Sequence, residues 1–392
     1  MISKIKKILL APPYIQHCSQ TIYQALLGCI KMYESTFDDV WKQRSKKVKN
    51  ILLNIQRPDG GFDIGYDFNF GKFHKKGEST SPELIGLIAL CEYERVFGYE
   101  KTLRKAMDKA AFWIETFSIK LKDSMHAIPY GPYSTKEVMV YNGTSFACAA
   151  LGCYIGITKS TKQTLIDIYR GMNKYLLNVM SDDSSLKGKF WYYSDQSRED
   201  LTESAKNKID YYHQMQQVEV HSIAQNYYPI KEQKEIIEAA ADLVLEKQQE
   251  NGEVPYTNRK EYFNDLIHVW GYCSVMSGFL AANTLLDKKS YKEAAIKVKN
   301  WLIKYSWNGN YFYASLKPLN GNVNNDTYMV RSDAWVFNAL SNFHYNYQST
   351  DLKLIIENTY LKMEECDFSG RETHAQNLRK KIIFSIIKFI RK

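Results

Sequence analysis

Tyr211-Tyr212-His213-Gln214-Met215-Gln216-Gln217-Val218-Glu219-Val220-His221 reads as the start of a helix, but its first turns are crowded with Tyr, His and Gln. A helix used only for packing would place Leu and Ala there. Residues 78–83, 141–144, 265–272 and 328–335 share the habit. Each starts polar, or polar and aromatic, and then turns small and apolar. They recur at a spacing of roughly 60 residues, the signature of an internal repeat.

Working outward, two kinds of helix alternate. The first kind is small, apolar and polar at its start: residues 14–33, 82–97, 142–156, 211–227, 266–286 and 328–345. The second is amphipathic and mostly lysine-rich: residues 39–55, 100–117, 161–180, 231–249, 288–305 and 352–365. Within 231–249, Ile236, Ala240, Leu243 and Val244 follow the i, i+3, i+4 rule for one buried stripe. The first kind carries little charge on any side, so it should be buried on most faces. Strict alternation means six helical hairpins. A closed ring with the apolar helices inside buries them most economically. The predicted fold is therefore all-α, an (α/α)6 toroid over residues 1–370, followed by a basic amphipathic tail, 371–392. Antiparallel hairpins would put every inner-helix start at one end of the ring, around one shared cavity.

Turn formers and short aromatic, strand-like pieces follow the first five outer helices, at residues 58–62, 126–131, 188–193, 251–256 and 308–313. Asn-Gly and Asp-Gly suit turns because both residues tolerate positive φ. These loops would deliver Tyr130, Tyr192, Tyr256 and Asp59 to the same rim.

The chain has 392 residues and a net charge of +9, from 52 Lys+Arg against 43 Asp+Glu. That favours an acidic partner. Aromatic residues are 14% of the chain, with 29 Tyr, and Tyr rings at helix starts suit the flat faces of carbohydrate. The basic charge is spread over the outer helices, and no nucleic-acid-binding signature is present. The chain has 7 Cys with no Cys-x-x-Cys pair, which reads as buried free thiols in a reducing, cytoplasmic setting. No phosphate-cradling glycine loop, serine-nucleophile elbow or zinc-helix motif occurs, so neither metal nor cofactor is expected.

The alternation, the Gln-x-x-x-Gly endings of outer helices (Gln56 to Gly60, Gln248 to Gly252) and the aromatic inner-helix starts resemble six-hairpin (α/α)6 enzymes. That group includes glycoside hydrolases, uronate lyases and the helical domain of glucuronyl C5-epimerases. The resemblance is architectural and spans roughly residues 14–365. The string Gln56-Arg57-Pro58-Asp59-Gly60-Gly61-Phe62 also looks like repeats of prenyltransferase and terpenoid cyclase toroids. Those would imply a zinc set or an Asp-x-Asp-Asp acid motif, and neither is visible.

Candidate catalytic residues are His213 and His268 as proton carriers, Tyr141 as a shuttle, and Arg331 with Asp333. Arg331 has the forked geometry of a carboxylate clamp, or else pairs internally with Asp333 or Asp326. Candidate sugar-binding residues are Asn142, Gln214, Gln217, Trp270, Tyr272, Trp335, Tyr130, Tyr192, Tyr256, Asp59 and Glu78. Structural duties compete at several: Asn142 is a good N-cap, and Asp59 suits a turn. The expected substrate is an anionic, uronate-containing oligo- or polysaccharide, acted on by epimerase or lyase chemistry. A paired-carboxylate hydrolase using two of Asp265, Asp333, Glu78 and Asp59 is the alternative within the class. A non-catalytic glycan-binding scaffold is the alternative outside it.

Residues 378–392 combine Ile382, Ile383, Phe384, Ile386, Ile387, Phe389 and Ile390 with Arg379, Lys380, Lys381, Lys388, Arg391 and Lys392. That composition suits an interfacial helix on an anionic lipid surface, and the run is too short to span a bilayer. The sequence thus points to a cytoplasmic protein held peripherally on the inner membrane face, or to a last helix docked on protein.

Overall fold

A computed structural model describes residues 17–65, 68–70, 72–74, 77–133, 138–182, 188–197, 199, 201–258, 266–317, 321–325 and 328–369. Twelve long helices among them form six hairpins. The inner helices are α1 (Ser19–Thr36), α3 (Ile85–Phe97), α5 (Tyr141–Thr158), α7 (Tyr211–Gln225), α9 (Val269–Leu286) and α11 (Val330–Tyr347). The outer ones are α2 (Asp39–Ile55), α4 (Lys101–Phe117), α6 (Gln163–Asn178), α8 (Lys231–Lys247), α10 (Lys289–Ser306) and α12 (Lys353–Glu365). Each inner helix packs on the next, and α11 packs back on α1, which closes the ring. An isolated bridge between His17 and Ser369 ties the two ends of the described chain together.

Inner and outer helices differ because their sequences do. Every residue of α5 from Tyr141 to Ile155 is buried, whereas α4 buries one stripe: Leu103, Ala106, Met107, Ala110, Ala111, Trp113 and Ile114. Helix α9 is long and apolar enough to cross a membrane, but 67% of it is buried within the ring. Its composition answers to neighbours on both flanks.

Five of the six inner helices end the same way. Phe37, Gly98, Lys159, Asp287 and Gln348 each take positive φ, and each backbone N–H bonds the carbonyl four residues earlier. This closure turns the chain directly into the outer helix.

The Gln-x-x-x-Gly endings have a physical basis. Gln56 donates through its amide to the carbonyls of Gly60 (2.9 Å) and Ala106 (2.8 Å), which lashes the turn to the next outer helix. Gln248 does the same to Gly252 (3.4 Å) and Ala294 (3.1 Å). Gly60 and Gly252 sit at φ 102° and 96°, against backbone carbonyls of α4 and α10 that a Cβ would strike. Repeat spacing here reflects repeated hydrogen bonding.

The loops between hairpins carry short antiparallel pieces: β1 (Phe68–Phe70) with β2 (Lys72–His74), β3 (Ile119–Lys120) with β4 (His126–Ala127), and β5 (Ser181–Asp182) with β6 (Lys189–Phe190). A three-stranded sheet joins β7 (Ile267–His268), β8 (Ser315–Leu316) and β9 (Val323–Asn325) in that order. The expected strand-like pieces at 58–62 and 308–313 are single bridges, Gln56–Phe62 and Trp307–Phe312. The piece at 251–256 is a turn and bend without a strand. The tail, 371–392, lies outside the described residues, as do Asp265 and Asp326. Cysteines are free, six buried and Cys366 partly so.

Candidate active site

Because inner helices run the same way, their first turns meet at one end, here called the front. A cavity of about 180 Å³ opens there. Its walls are Gln20 and Tyr23 of α1, Pro82 and Ile85 beside the start of α3, Asn142 and Phe146 of α5, and Tyr212, His213 and Gln216 of α7. Trp270 of α9, Arg331 and Trp335 of α11, and the loop residues Tyr130 and Tyr193 complete it. Six helix N-termini around one space present partial positive charge to whatever enters.

His213 is the basic group of this cavity. Its Nδ1 lies 2.9 Å from Asp210 Oδ2. Asp210 Oδ1 is held in turn by Lys208 at 2.9 Å. Burial raises the Asp210 pKa, but His213 and Lys208 more than offset it, so the carboxyl lies below its ordinary value and is ionised. An ionised carboxylate only accepts, so His213 donates from Nδ1 and its Nε2 keeps the lone pair. Burial lowers the His213 pKa and Asp210 raises it; the net shift is downward, so the imidazole is neutral at pH 7. Tyr193 stacks on the ring at 5.1 Å and 28°. A neutral, oriented and partly covered imidazole is what a general base requires.

Arg331 lies on α11, separated from α7 by α9 alone. Its Nη1 donates to Gln20 Oε1 at 2.9 Å, and its guanidinium lies 5.4 Å from the Trp270 ring centroid. The Gln20 amide donates onward to Glu83 Oε1 at 3.0 Å, and Ser19 donates to Glu83 Oε2. Burial pushes the Glu83 carboxyl up to about 7, with Ser19, Gln20 and Arg331 working against the rise. Gln20 thus separates a fixed cation from a carboxyl that is half-protonated near neutrality. Trp270 packs edge-on to Tyr212 at 5.2 Å and beside Trp335 at 5.8 Å, giving a continuous aromatic wall.

Of the residues singled out from sequence, His213, Arg331, Asn142, Trp270, Trp335 and Tyr130 line the cavity. The others do not. Tyr141 is buried, and its hydroxyl accepts from the Gln196 amide at 3.2 Å. His268 caps α9 and meets the Tyr256 ring at 5.8 Å, while Tyr256 stacks behind Tyr212 at 4.4 Å. Gln214 is spent on the Trp191 backbone, accepting at 3.1 Å and donating at 2.6 Å. Gln217 accepts from Ser145 at 2.7 Å. Tyr272 accepts from Val254 N at 3.0 Å and donates to Gly252 O. Tyr192 packs on Phe190 at 5.1 Å. Asp59 forms its own turn by accepting from Gly61 N at 3.0 Å, and the Glu78 carbonyl accepts from Ile64 N at 3.1 Å.

Asp333 is fully buried away from the cavity, and burial holds its carboxyl protonated, offset only in part by the Phe312 amide. The residues that sequence reasoning passed over are Asp210, Gln20, Tyr23, Tyr193, Tyr212 and Gln216, with Glu83 in support. Asp210 was within reach, since Asp-x-x-His places a carboxylate one turn before an imidazole. Gln20 precedes any aromatic signal in its helix and gave none. Among the described residues no cluster of three or more His, Cys, Asp or Glu side chains is present.

Solved structures share this architecture. A cellobiose 2-epimerase from Bacillus thermoamylovorans superposes with a TM-score of 0.60 at 13% identity, over 79% of this chain and 82% of its own. A family 88 glycosyl hydrolase from Bacteroides vulgatus gives 0.60 at 11% identity, over 88% and 96%. A polysaccharide lyase gives 0.58 at 12% identity, over 89% and 96%. At such identities the likeness shows the fold. No family profile and no curated protein matches the chain in sequence.

Proposed function

We propose that this chain is a carbohydrate-active enzyme that moves a proton at a carbon of an acidic sugar, as an epimerase or a lyase. One observation carries the reading. Among the described residues that line the cavity the one charged side chain is Arg331, and the same cavity holds a neutral histidine oriented by Asp210. A uronate carboxylate would pair with Arg331 and draw on the positive helix starts. That pairing acidifies the proton at the adjacent ring carbon, C5. His213 Nε2 would remove it, and Arg331 would hold the charge that develops on the carboxylate oxygens. Return of a proton from solvent water to the opposite face of C5, with His213 releasing its own to solvent, gives the epimer. Breaking the C4–O bond instead, with the proton taken by His213 passing to the departing oxygen, gives an unsaturated product.

The cavity volume of about 180 Å³ lies below the range of roughly 300–1,000 Å³ for sites that engulf larger ligands. One sugar ring would be enclosed, with the rest of a chain lying outside. The fold relatives whose names are a 2-epimerase, a glycosyl hydrolase and a lyase support carbohydrate as the substrate class. Hydrolysis by paired carboxylates has less support, because no Asp or Glu is among the described residues lining the cavity.

The substrate class is tested by binding. Uronate-containing oligosaccharides should bind at least tenfold more tightly than neutral ones of equal length. Arg331→Ala should remove most of that preference, since a charge-assisted hydrogen bond contributes about 1.5–3 kcal/mol. Equal affinity for both would reject the acidic substrate. A new unsaturated chromophore identifies the lyase, inversion at C5 the epimerase, and binding without either a glycan-binding role.

The residues 378–392 carry a separate proposal, cytoplasmic residence on the inner membrane face, on composition alone. Co-sedimentation with anionic vesicles should be lost on ending the chain at Gln376. Equal pelleting of both lengths would end that proposal.

A further inference from the structure

The larger cavity in the ring is not the one where helix starts converge. It lies at the rear, among the C-terminal halves of the inner helices, and holds about 340 Å³. Four charged side chains at its rim form a closed set. Lys31 pairs with Glu34 at 3.0 Å and with Glu92 at 3.8 Å, and Arg95 reaches both carboxylates at 2.7 Å. Two cations thus meet two anions. Tyr227 adds a hydrogen bond to Glu92 at 2.5 Å, and Lys31 covers the Tyr345 ring at 4.6 Å.

Glu219 is the lining carboxyl left outside this set. It projects from α7 and accepts a hydrogen bond from the Ser277 hydroxyl of α9. Burial pushes it up to about 8. Around it stand amide groups. Asn342 of α11 accepts from Asn346 at 3.1 Å, Asn338 donates to Gln24 at 2.6 Å, and Asn226 follows α7. Amides offer donors and acceptors together, as hydroxyl groups require. The inner helices also end here, so their partial negative charge favours a cation.

We propose that the rear cavity is a second ligand site for a small hydroxylated amine, an amino sugar or amino polyol, with its ammonium on Glu219 and its hydroxyls on the asparagine amides. The site is separate from the front cavity and does not depend on the front reaction. Binding is proton-linked. Below about pH 8 the free Glu219 holds a proton that must leave before the ammonium can pair. Affinity therefore rises with pH up to about 8 and levels off above it. The other titratable groups facing the cavity are Lys31, Glu92, Arg95, Tyr227 and Tyr345, with Cys273 behind Glu219. Lys31, Glu92 and Arg95 are held in ion pairs, and burial keeps Tyr227 and Cys273 protonated.

The test is calorimetric titration of the full chain with glucamine, an amino polyol, against sorbitol, its neutral counterpart. Glucamine should bind at least tenfold more tightly than sorbitol at pH 8.5, and about tenfold more weakly at pH 6 than at pH 7. Glu219→Gln should abolish the preference and flatten the pH profile, while His213→Ala should leave both intact. Equal binding of the two polyols, absence of glucamine binding, or loss on His213→Ala in place of Glu219→Gln would each overturn the proposal. If Glu219→Gln fails to fold, the sorbitol comparison and the pH profile of the natural chain still decide it.

Discussion

Gln216 faces the front cavity and Glu219 the rear one, three residues apart on the same helix. At the front the walls are aromatic, the single charge among the described lining residues is the cation Arg331, and six helix N-termini converge. At the rear the walls are amide-rich, the carboxyl left outside the ion pairs is Glu219, and helix C-termini converge. One ring of parallel helices imposes this polarity on its two mouths, and the side chains follow the sign of the dipoles. Helix direction alone divides the molecule into an anion-seeking end and a cation-seeking end.

The sharpest way to break that division is at the front. Replacing His213 by Ala should lower kcat by about 10²–10⁴-fold, the range for a general base, with KM little changed. The pH profile of kcat/KM should rise through a value below the ordinary histidine 6.5, because His213 must be neutral to act. Asp210→Asn should move that limb lower still, since Asp210 is what raises the His213 pKa. A profile unchanged in Asp210→Asn would remove the dyad from the account.

Each end also carries a carboxyl that sets a pH dependence of stability. Glu83 rises to about 7 and Glu219 to about 8, both from 4.5. Their folded pKa values exceed the unfolded ones, so each contribution is full below 4.5 and is lost as pH rises through 7 or 8. Denaturant unfolding from pH 5 to 9, compared between the natural chain and Glu83→Gln or Glu219→Gln, isolates each. The full loss should be about 3 kcal/mol for Glu83 and about 5 kcal/mol for Glu219. It should end about one pH unit higher for the rear group.

The packing between the two ends gives a smaller effect. A Cβ at Gly278 of α9 would sit 2.5 Å from the Met215 carbonyl of α7. Gly278→Ala should cost about 1–3 kcal/mol by thermal unfolding. The smallest effect lies at the rear turns, where Lys159 occupies φ 52° without being glycine. Lys159→Gly should gain at most about 1 kcal/mol, because only the left-handed strain is relieved. A loss there would mean that the lysine side chain contributes more than its backbone costs.

The ring was legible because burial leaves a period. Inner helices read as apolar on all sides, and outer ones as one stripe. The twelve observed helices fall within a few residues of those expected. The αL closures were not legible, since Phe37, Lys159, Asp287 and Gln348 are poor markers of positive φ. At the site, polar helix starts pointed to the right end of the ring but not to the right faces. Gln214 and Gln217 sit beside His213 and Gln216 in sequence, yet the helical turn aims them at Trp191 and Ser145. Tyr141 and Asn142 divide in the same way: the second lines the cavity and the first does not. Face selection depends on where the ring axis lies, and a single chain's polarity pattern does not contain it.

The central claim is that His213 at the front moves a carbon-bound proton of an acidic sugar. Incubating uronate oligosaccharides with the protein in deuterated water and following C5 by NMR tests it directly. The account predicts deuterium at C5 or formation of an unsaturated product with the natural chain, and a reduction of at least 10²-fold with His213→Ala. Exchange that proceeds undiminished in His213→Ala, or bound uronate that neither exchanges nor reacts, would contradict it.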